Sequence, residues 1–181
     1  MDLSNDLTGN YKRSLELSSD TAKSSDYIDD CLEYLGKKGI NVKNFIILQV
    51  TSPLRQVFHL EEAINQYEIY ENESLISVCE ASTHPYHCFL VDEYDNYESL
   101  IDFNNTRRQE YKTALAMNGS IYIKNVAFFY INKSIKTDET SLYLMDKRYS
   151  VDIDDEEDLY IASLLYRDMI ITPHNNNNNE M

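Results

Sequence analysis

The run Phe45 to Val50 constrains the fold more than any other stretch of the chain. It is short, almost wholly apolar and rich in β-formers, with no alternation of polar and apolar positions. A helix needs more length and a half-buried strand would alternate, so the run reads as a strand covered on both faces. Its expected place is the centre of a sheet. Thr51, Ser52 and Pro53 then stop it, setting hydroxyls, Gln49 and Arg55 at the strand's carboxyl end. Open α/β sheets build their ligand crevices there. Ser52 as a cap and Pro53 as a first-turn residue would account for those two positions equally well.

At 181 residues the chain has a single domain's length, enough to bury a core. Its 43% hydrophobic and 26% charged residues are ordinary globular values. The formal net charge of -15 argues against a general nucleic-acid binder and against a polybasic membrane patch. So negative a surface repels a nucleotide triphosphate unless Mg²⁺ and local basic side chains intervene, so a phosphate site has to be locally specialised. No run approaches a membrane span, and MDLSNDLTGN lacks the basic start and apolar stretch of a signal peptide. The expectation is a cytoplasmic protein. Cys31, Cys79 and Cys88 show no paired spacing, as reduced thiols would not, and His84 and His87 beside two of them fit no closed zinc site.

Taken in order, residues 1–12 read as a loose lead-in. Residues 20–39 read as a helix: Ala22, Ile28, Cys31, Leu32 and Leu35 share a stripe, Ser24 or Ser25 can cap it, and Gly36 or Gly39 ends it. A second helical period spans Leu60 to Tyr70, followed by a strand from Leu75 to Cys79. Strand, helix, strand is the rhythm of a parallel, right-handed wound sheet. The rhythm breaks over residues 82–117, long enough to be an inserted lobe. Asn118 to Ile123 restores a strand, entered through an Asn-Gly pair suited to a tight turn. Leu142 to Met145 is another strand candidate, and Glu156 to Met169 an amphipathic helix with acidic residues in its first turn. One α/β domain over 13–170 is expected, with an asparagine-rich, disordered tail over 171–181.

Asp152 and Asp154 are the strongest chemical pair. On an extended segment, residues two apart point to one side, so both carboxylates can converge on one Mg²⁺ or its water shell. The alternative is that Asp154, Asp155, Glu156 and Glu157 are simply the acidic start of a helix.

Four motifs stand in a telling order: Arg13-x-x-Glu16-Leu17-x-x-Asp20-x-Ala22-x-Ser24, Leu48-Gln49-x-Thr51-Ser52-Pro53-Leu54-Arg55, Asn118-Gly119-x-Ile121-Tyr122, and Ser150-x-Asp152-x-Asp154. Together they resemble the CMP-sialic acid synthetases, the cytidylyltransferases that activate sialic and related nonulosonic acids. Ser14 replaces that family's proline, and Tyr149 separates Arg148 from Ser150. The resemblance implies a Rossmann-like, mostly parallel α/β sheet with flanking helices, of the nucleotide-diphospho-sugar transferase type. It also implies that residues 82–117 form a small lobe that makes a homodimer and reaches over the partner's site. The implied substrates are CTP and an acidic nine-carbon sugar, and the implied cofactor is Mg²⁺ on Asp152 and Asp154.

By the same resemblance, Arg108 would contact the sugar carboxylate, a task suited to a planar guanidinium, with Arg107 as its neighbour and competitor. Asn118 and Tyr122 match positions that contact sugar or base, although Tyr122 reads equally well as core. Arg13, Ser24 and Gln49 match nucleotide-side positions, joined by Thr51, Ser52 and Arg55. His87 stands where some members carry a lysine, and Ile135-Lys136 where some carry two phenylalanines, so the choice among acid sugars is open.

The family's opening strand and its Gly-, Ser-, Lys- and Arg-rich phosphate loop have no counterpart here. The chain's 4 glycines stand at 9, 36, 39 and 119, none in such a loop. An N-terminally truncated member is therefore expected. Three readings follow: a nonulosonic acid cytidylyltransferase, a non-catalytic sugar-binding or dimer-forming module, and a related Kdo-type nucleotidyltransferase.

Overall fold

The computed structural model describes residues 11–19, 21–70, 73–101, 110–134, 136–137 and 139–171. Arg107, Arg108, Ile135 and the asparagine-rich tail lie outside the described residues.

Helix α1 (Ser24–Lys37) buries Ile28 and Leu32, one turn apart on a single face. Neither serine caps it; Lys23 occupies the cap position without a side-chain bond, and Ser25 turns to Asp26. The other end closes as expected at Gly39, whose φ of +78° lets Gly39 N–H reach Gly36 O and Ile40 N–H reach Leu35 O. Strand β1 (Asn44–Ile47) follows, then helix α2 (Val57–Ile69), begun by His59, whose Nδ1 accepts the Gln56 amide at 3.0 Å. Ser52 and Pro53 therefore do not start α2.

Strand β2 (Ser74–Glu80) is buried along six of its seven residues, the pattern expected of a central strand. A detached hairpin of β3 (Phe89–Val91) and β4 (Tyr97–Ser99) comes next, its Asp92 carboxylate holding the Tyr94 and Asn96 amides. Strand β5 (Leu115–Asn125) begins before the expected end of the lobe at 117. Helix α3 (Val126–Asn132) has no forerunner in the sequence reading, because Val126, Phe128, Phe129, Tyr130 and Ile131 are all β-formers. Its cap decides the matter: Asn125 Oδ1 accepts the amides of Ala127 at 2.9 Å and Phe128 at 3.4 Å. Strand β6 (Thr140–Leu144) and helix α4 (Glu156–Ile171) complete the fold.

The main sheet has the order β1-β5-β2-β6. Three strands run one way, since β1 and β2 both oppose β5 and β2 pairs in parallel with β6. The fold is α/β with a mixed sheet and flanking helices. The Phe45–Val50 run is corrected in two respects. It lies at an edge, because β5 inserts between β1 and β2, and only its first residues are in the strand; Leu48 and Val50 are 40% and 92% exposed.

One sheet face packs Leu75, Ile121, Ile123 and Tyr143 against Ala63 and Tyr67 of α2. The other packs Phe45 and Ile47 against Ile28, Leu32 and Phe129. Helix α4 is less buried than its pattern suggests, with Ala162 its one buried residue and Arg148 paired to Asp168. No described helix is long and apolar enough to cross a membrane.

Candidate functional site

The site forms where the β2–β5 ladder breaks. Ile76 stands opposite Tyr122 and Val78 opposite Met117, so Ser77 alone faces Asn118, Gly119, Ser120 and Ile121. This is a bulge inside β5, not the entry turn expected of Asn118-Gly119. Gly119 adopts φ +71°, a conformation that side chains with a Cβ resist. The bulge leaves Ile121 N–H without a ladder partner, and the Ser77 hydroxyl accepts it at 2.7 Å.

Three segments converge on the bulge. From the loop after β1 come Gln49, Ser52 and Arg55. Ser52 is buried with its hydroxyl 3.4 Å from Asn118 O, and the Arg55 guanidinium donates to Ser120 O at 2.6 Å. From the segment before α4 come Ser150 and Asp152. Ile153 N–H donates to Thr51 O at 2.9 Å, stitching this segment to the first loop. An added Cβ on Gly119 would lie 2.4 Å from Gln49 Oε1 and 2.8 Å from Asp152 Oδ2, so the amide and the carboxylate both press on the glycine.

Asp152 Oδ1 is buried with no hydrogen-bond partner among the described residues. A buried carboxylate oxygen left bare is costly unless something else fills its lone pairs. Tyr122 stands close by; burial pushes its phenol above the ordinary range, and the charge of Asp152 pushes it further. Tyr27 of α1 adds to that effect, and the Arg13 guanidinium lies 4.2 Å over the Tyr27 ring. Arg13, Tyr27, Tyr122, Asp152, Gln49 and Gly119 thus form one connected group.

The other expected residues divide by what they do. Asn118 is 4% exposed and engaged internally: its Oδ1 accepts from Ser77 Oγ at 2.7 Å, and its Nδ2 donates to Ser150 Oγ at 2.9 Å. Ser52 and Arg55 hold the loop to the bulge, while Thr51 contributes its carbonyl. Ser24 is exposed in the first turn of α1. Asp154 is exposed and its amide donates to Asp158 Oδ2. The cap of α4 is Asp155, whose Oδ1 accepts from Glu157 and Asp158. The acidic stretch therefore serves two purposes, with Asp152 turned to the bulge and Asp155 to the helix. His87 is exposed, 5.9 Å from the Tyr111 ring, in an aromatic group with His84 and Tyr86. Arg108 falls outside the described residues. Sequence reading missed Ser77, for which the available signal was a hydroxyl in the apolar strand Leu75–Cys79, and it placed Ser150 in a motif without giving it a role.

No group of three or more His, Cys, Asp or Glu residues is gathered for a metal among the described residues. A cation at Asp152 would draw on few protein oxygens, the habit of Mg²⁺, which keeps several waters or phosphate oxygens.

No protein-family profile matches the chain. The N-acylneuraminate cytidylyltransferase of Streptococcus agalactiae serotype V is 32% identical over 166 residues, covering 91% of this chain and 39% of that protein. Post-translational flagellin modification protein B of Campylobacter coli is 28% identical over 162 residues, 87% of this chain and 68% of that one. The N-acylneuraminate cytidylyltransferase of Escherichia coli is 29% identical over 154 residues, 81% of this chain and 34% of that one. A solved 4-diphosphocytidyl-2C-methyl-D-erythritolsynthase from Anaerococcus prevotii aligns with a TM-score of 0.47 at 13% identity, over 78% of this chain and 76% of that one, too distant to bear on function. The chain spans 39% of the length of the streptococcal relative. Over that span it is similar in sequence to the N-acylneuraminate cytidylyltransferases.

Proposed function

We propose that the chain acts as a cytidylyltransferase, moving CMP from CTP to a sialic acid or related nonulosonic acid and releasing pyrophosphate. The observation that carries this reading is the bare, buried Asp152 Oδ1 beside Gln49, Gly119 and Tyr122, in a chain whose relatives bear that name. An orphaned carboxylate oxygen fits a divalent cation, so Asp152, with Asp154 two residues on, would hold Mg²⁺. When bound, that ion offsets charge developing on the phosphates.

The chain's own residues then divide the remaining work. The Gln49 side chain is exposed, and its amide can both donate to and accept from a base edge. Tyr122, whose phenol is held neutral by burial and by Asp152, offers an O–H donor. Arg13, stacked on Tyr27, supplies positive charge in a chain of net charge -15. In the reaction the sugar's anomeric oxygen bonds to the α-phosphorus of CTP as the bond to the β-phosphate oxygen breaks. The hydroxyl proton leaves to solvent. Arg108 and Asn118 belong to the sugar side of this reading, Arg108 by direct contact and Asn118 by fixing the bulge.

The same reading includes a homodimer through the β3–β4 lobe, where Phe89, Val91 and Tyr97 are 59%, 65% and 75% exposed. It also places the protein in the cytoplasm, in keeping with three free cysteines among the described residues.

The test is pyrophosphate release from CTP and Mg²⁺ across a panel of nonulosonic acids and Kdo, with Asp152→Asn/Asp154→Asn as control. Turnover that vanishes in the double variant supports the enzyme, and the preferred sugar names its substrate. Silence across the panel from a folded protein leaves the binding module, and full activity in the double variant removes the metal assignment.

A further inference from the structure

We infer that Ser77 is a positioning residue for the Asp152 carboxylate, acting through Asn118 and Ser150. The inference deepens the cytidylyltransferase reading and rests on its metal assignment for one of its two tests.

Ser77 is fully buried in the middle of β2, where an apolar side chain would be the ordinary occupant. It is the one residue of β2 that faces the whole bulge Asn118–Ile121. Its hydroxyl spans both ends of that bulge, accepting the Ile121 amide at 2.7 Å and donating to Asn118 Oδ1 at 2.7 Å, the shorter of its two acceptor contacts, the other being Ile121 O at 3.1 Å. The two bonds together fix which way the Asn118 amide faces. With its oxygen held by Ser77 and by Ser120 N–H at 3.3 Å, its NH₂ must point the other way. There it meets Ser150 Oγ at 2.9 Å and Met145 Sδ at 3.4 Å. Ser150 Oγ in turn donates to Asp146 O at 2.9 Å, fixing the backbone two residues before Asp152.

The relay thus connects the two sides of the site. One end sets Gly119, which presses on Gln49 and Asp152; the other sets the segment that carries Asp152. A flipped Asn118 amide would place NH₂ against the Ser77 hydroxyl and the Ser120 amide, and a carbonyl against Met145. Loss of the Ser77 hydroxyl removes the bond that prevents that flip and leaves the buried Ile121 N–H without its partner. The carboxylate of Asp152 then loses its fixed place beside Gly119.

The experiment compares the parent chain, Ser77→Ala, Asp152→Asn and the double variant, with Ile121→Val as a core control. Two quantities are read: Mn²⁺ affinity by water-proton relaxation, and hydrogen exchange of the Asn118 side-chain NH₂ by NMR. Ser77→Ala is expected to weaken Mn²⁺ binding about tenfold and to speed Asn118 NH₂ exchange at least tenfold. In the Asp152→Asn background, Ser77→Ala should change Mn²⁺ affinity no further, because its effect passes through that carboxylate. Unchanged NH₂ exchange in Ser77→Ala overturns the inference, as does an equal loss in both readouts for Ile121→Val. A parent chain that binds no Mn²⁺ refutes the metal reading instead, and NH₂ exchange then decides the role of Ser77 alone.

Discussion

Replacing Gly119 with alanine separates the backbone demands of the bulge from the crowding of the site. At φ +71° a residue with a Cβ loses about 1–2 kcal/mol. Alanine recovers about 0.4–1 kcal/mol by narrowing the unfolded ensemble, so the conformational part nets roughly 1 kcal/mol of destabilisation. The added methyl then meets Gln49 Oε1 at 2.4 Å and Asp152 Oδ2 at 2.8 Å. Gln49 is exposed and its amide can swing away at little cost. Asp152 cannot, because its segment is tied by Ser150 to Asn118 and by Ile153 N–H to Thr51 O. The methyl therefore displaces the carboxylate, for a total loss of about 2–3 kcal/mol. Gly39, with φ +78° and nothing within 4 Å of an added Cβ, is the matched control for the conformational part alone. Urea denaturation should show Gly39→Ala destabilised by roughly 1 kcal/mol and Gly119→Ala by at least 1 kcal/mol more. Mn²⁺ titration should show affinity lost only in Gly119→Ala. Equal stabilities of the two variants, with parent-like Mn²⁺ binding in both, would refute the crowding argument.

Lys124 is fully buried on β5, and its Nζ has no hydrogen-bond partner among the described residues. Burial pushes its ammonium below the ordinary lysine value of 10.5, so the unfolded chain holds the extra proton and stability rises with pH up to that value. Lys124→Met should stabilise the protein by about 1–3 kcal/mol at pH 7 and flatten that rise in urea denaturation. His59 is likewise pushed below 6.5 by burial, so stability should fall as pH drops below 6.5; His59→Gln should remove that slope between pH 7.5 and 5. Asn125→Ala removes the cap of α3 and should cost about 1 kcal/mol, read as a lower urea midpoint. A variant as stable as the parent would show that packing of Phe129 alone holds α3.

Much of the local structure was legible because short-range chemistry set it. Gly39 ended α1, the 3.6-residue period marked α2, and the continuous apolar run marked β2. The motifs led to Gln49, Asn118, Tyr122 and Asp152, which do converge around one bulge. The misreadings share a cause. Phe45–Val50 looks buried on both faces, yet burial depends on neighbours, and β5 took the central place by pairing with both β1 and β2. The helix α3 was hidden by β-forming residues, since a single cap outweighed their preference.

The sequence by itself determined most of the element types, the acidic character and the order of the motifs, because propensity, charge and turn chemistry act over a few residues. Only the tertiary structure decided which hydroxyls, amides and carboxylates meet. Asn118 and Gly119 look like a hairpin turn in one dimension, but Ser77, 41 positions away from Asn118, makes them a bulge. Asp152 and Asp155 look alike in an acidic run, but one has a buried, unpartnered oxygen beside Gly119 and the other caps a helix. Such distinctions arise from contacts between residues far apart in the chain, and those exist only once the sheet has assembled.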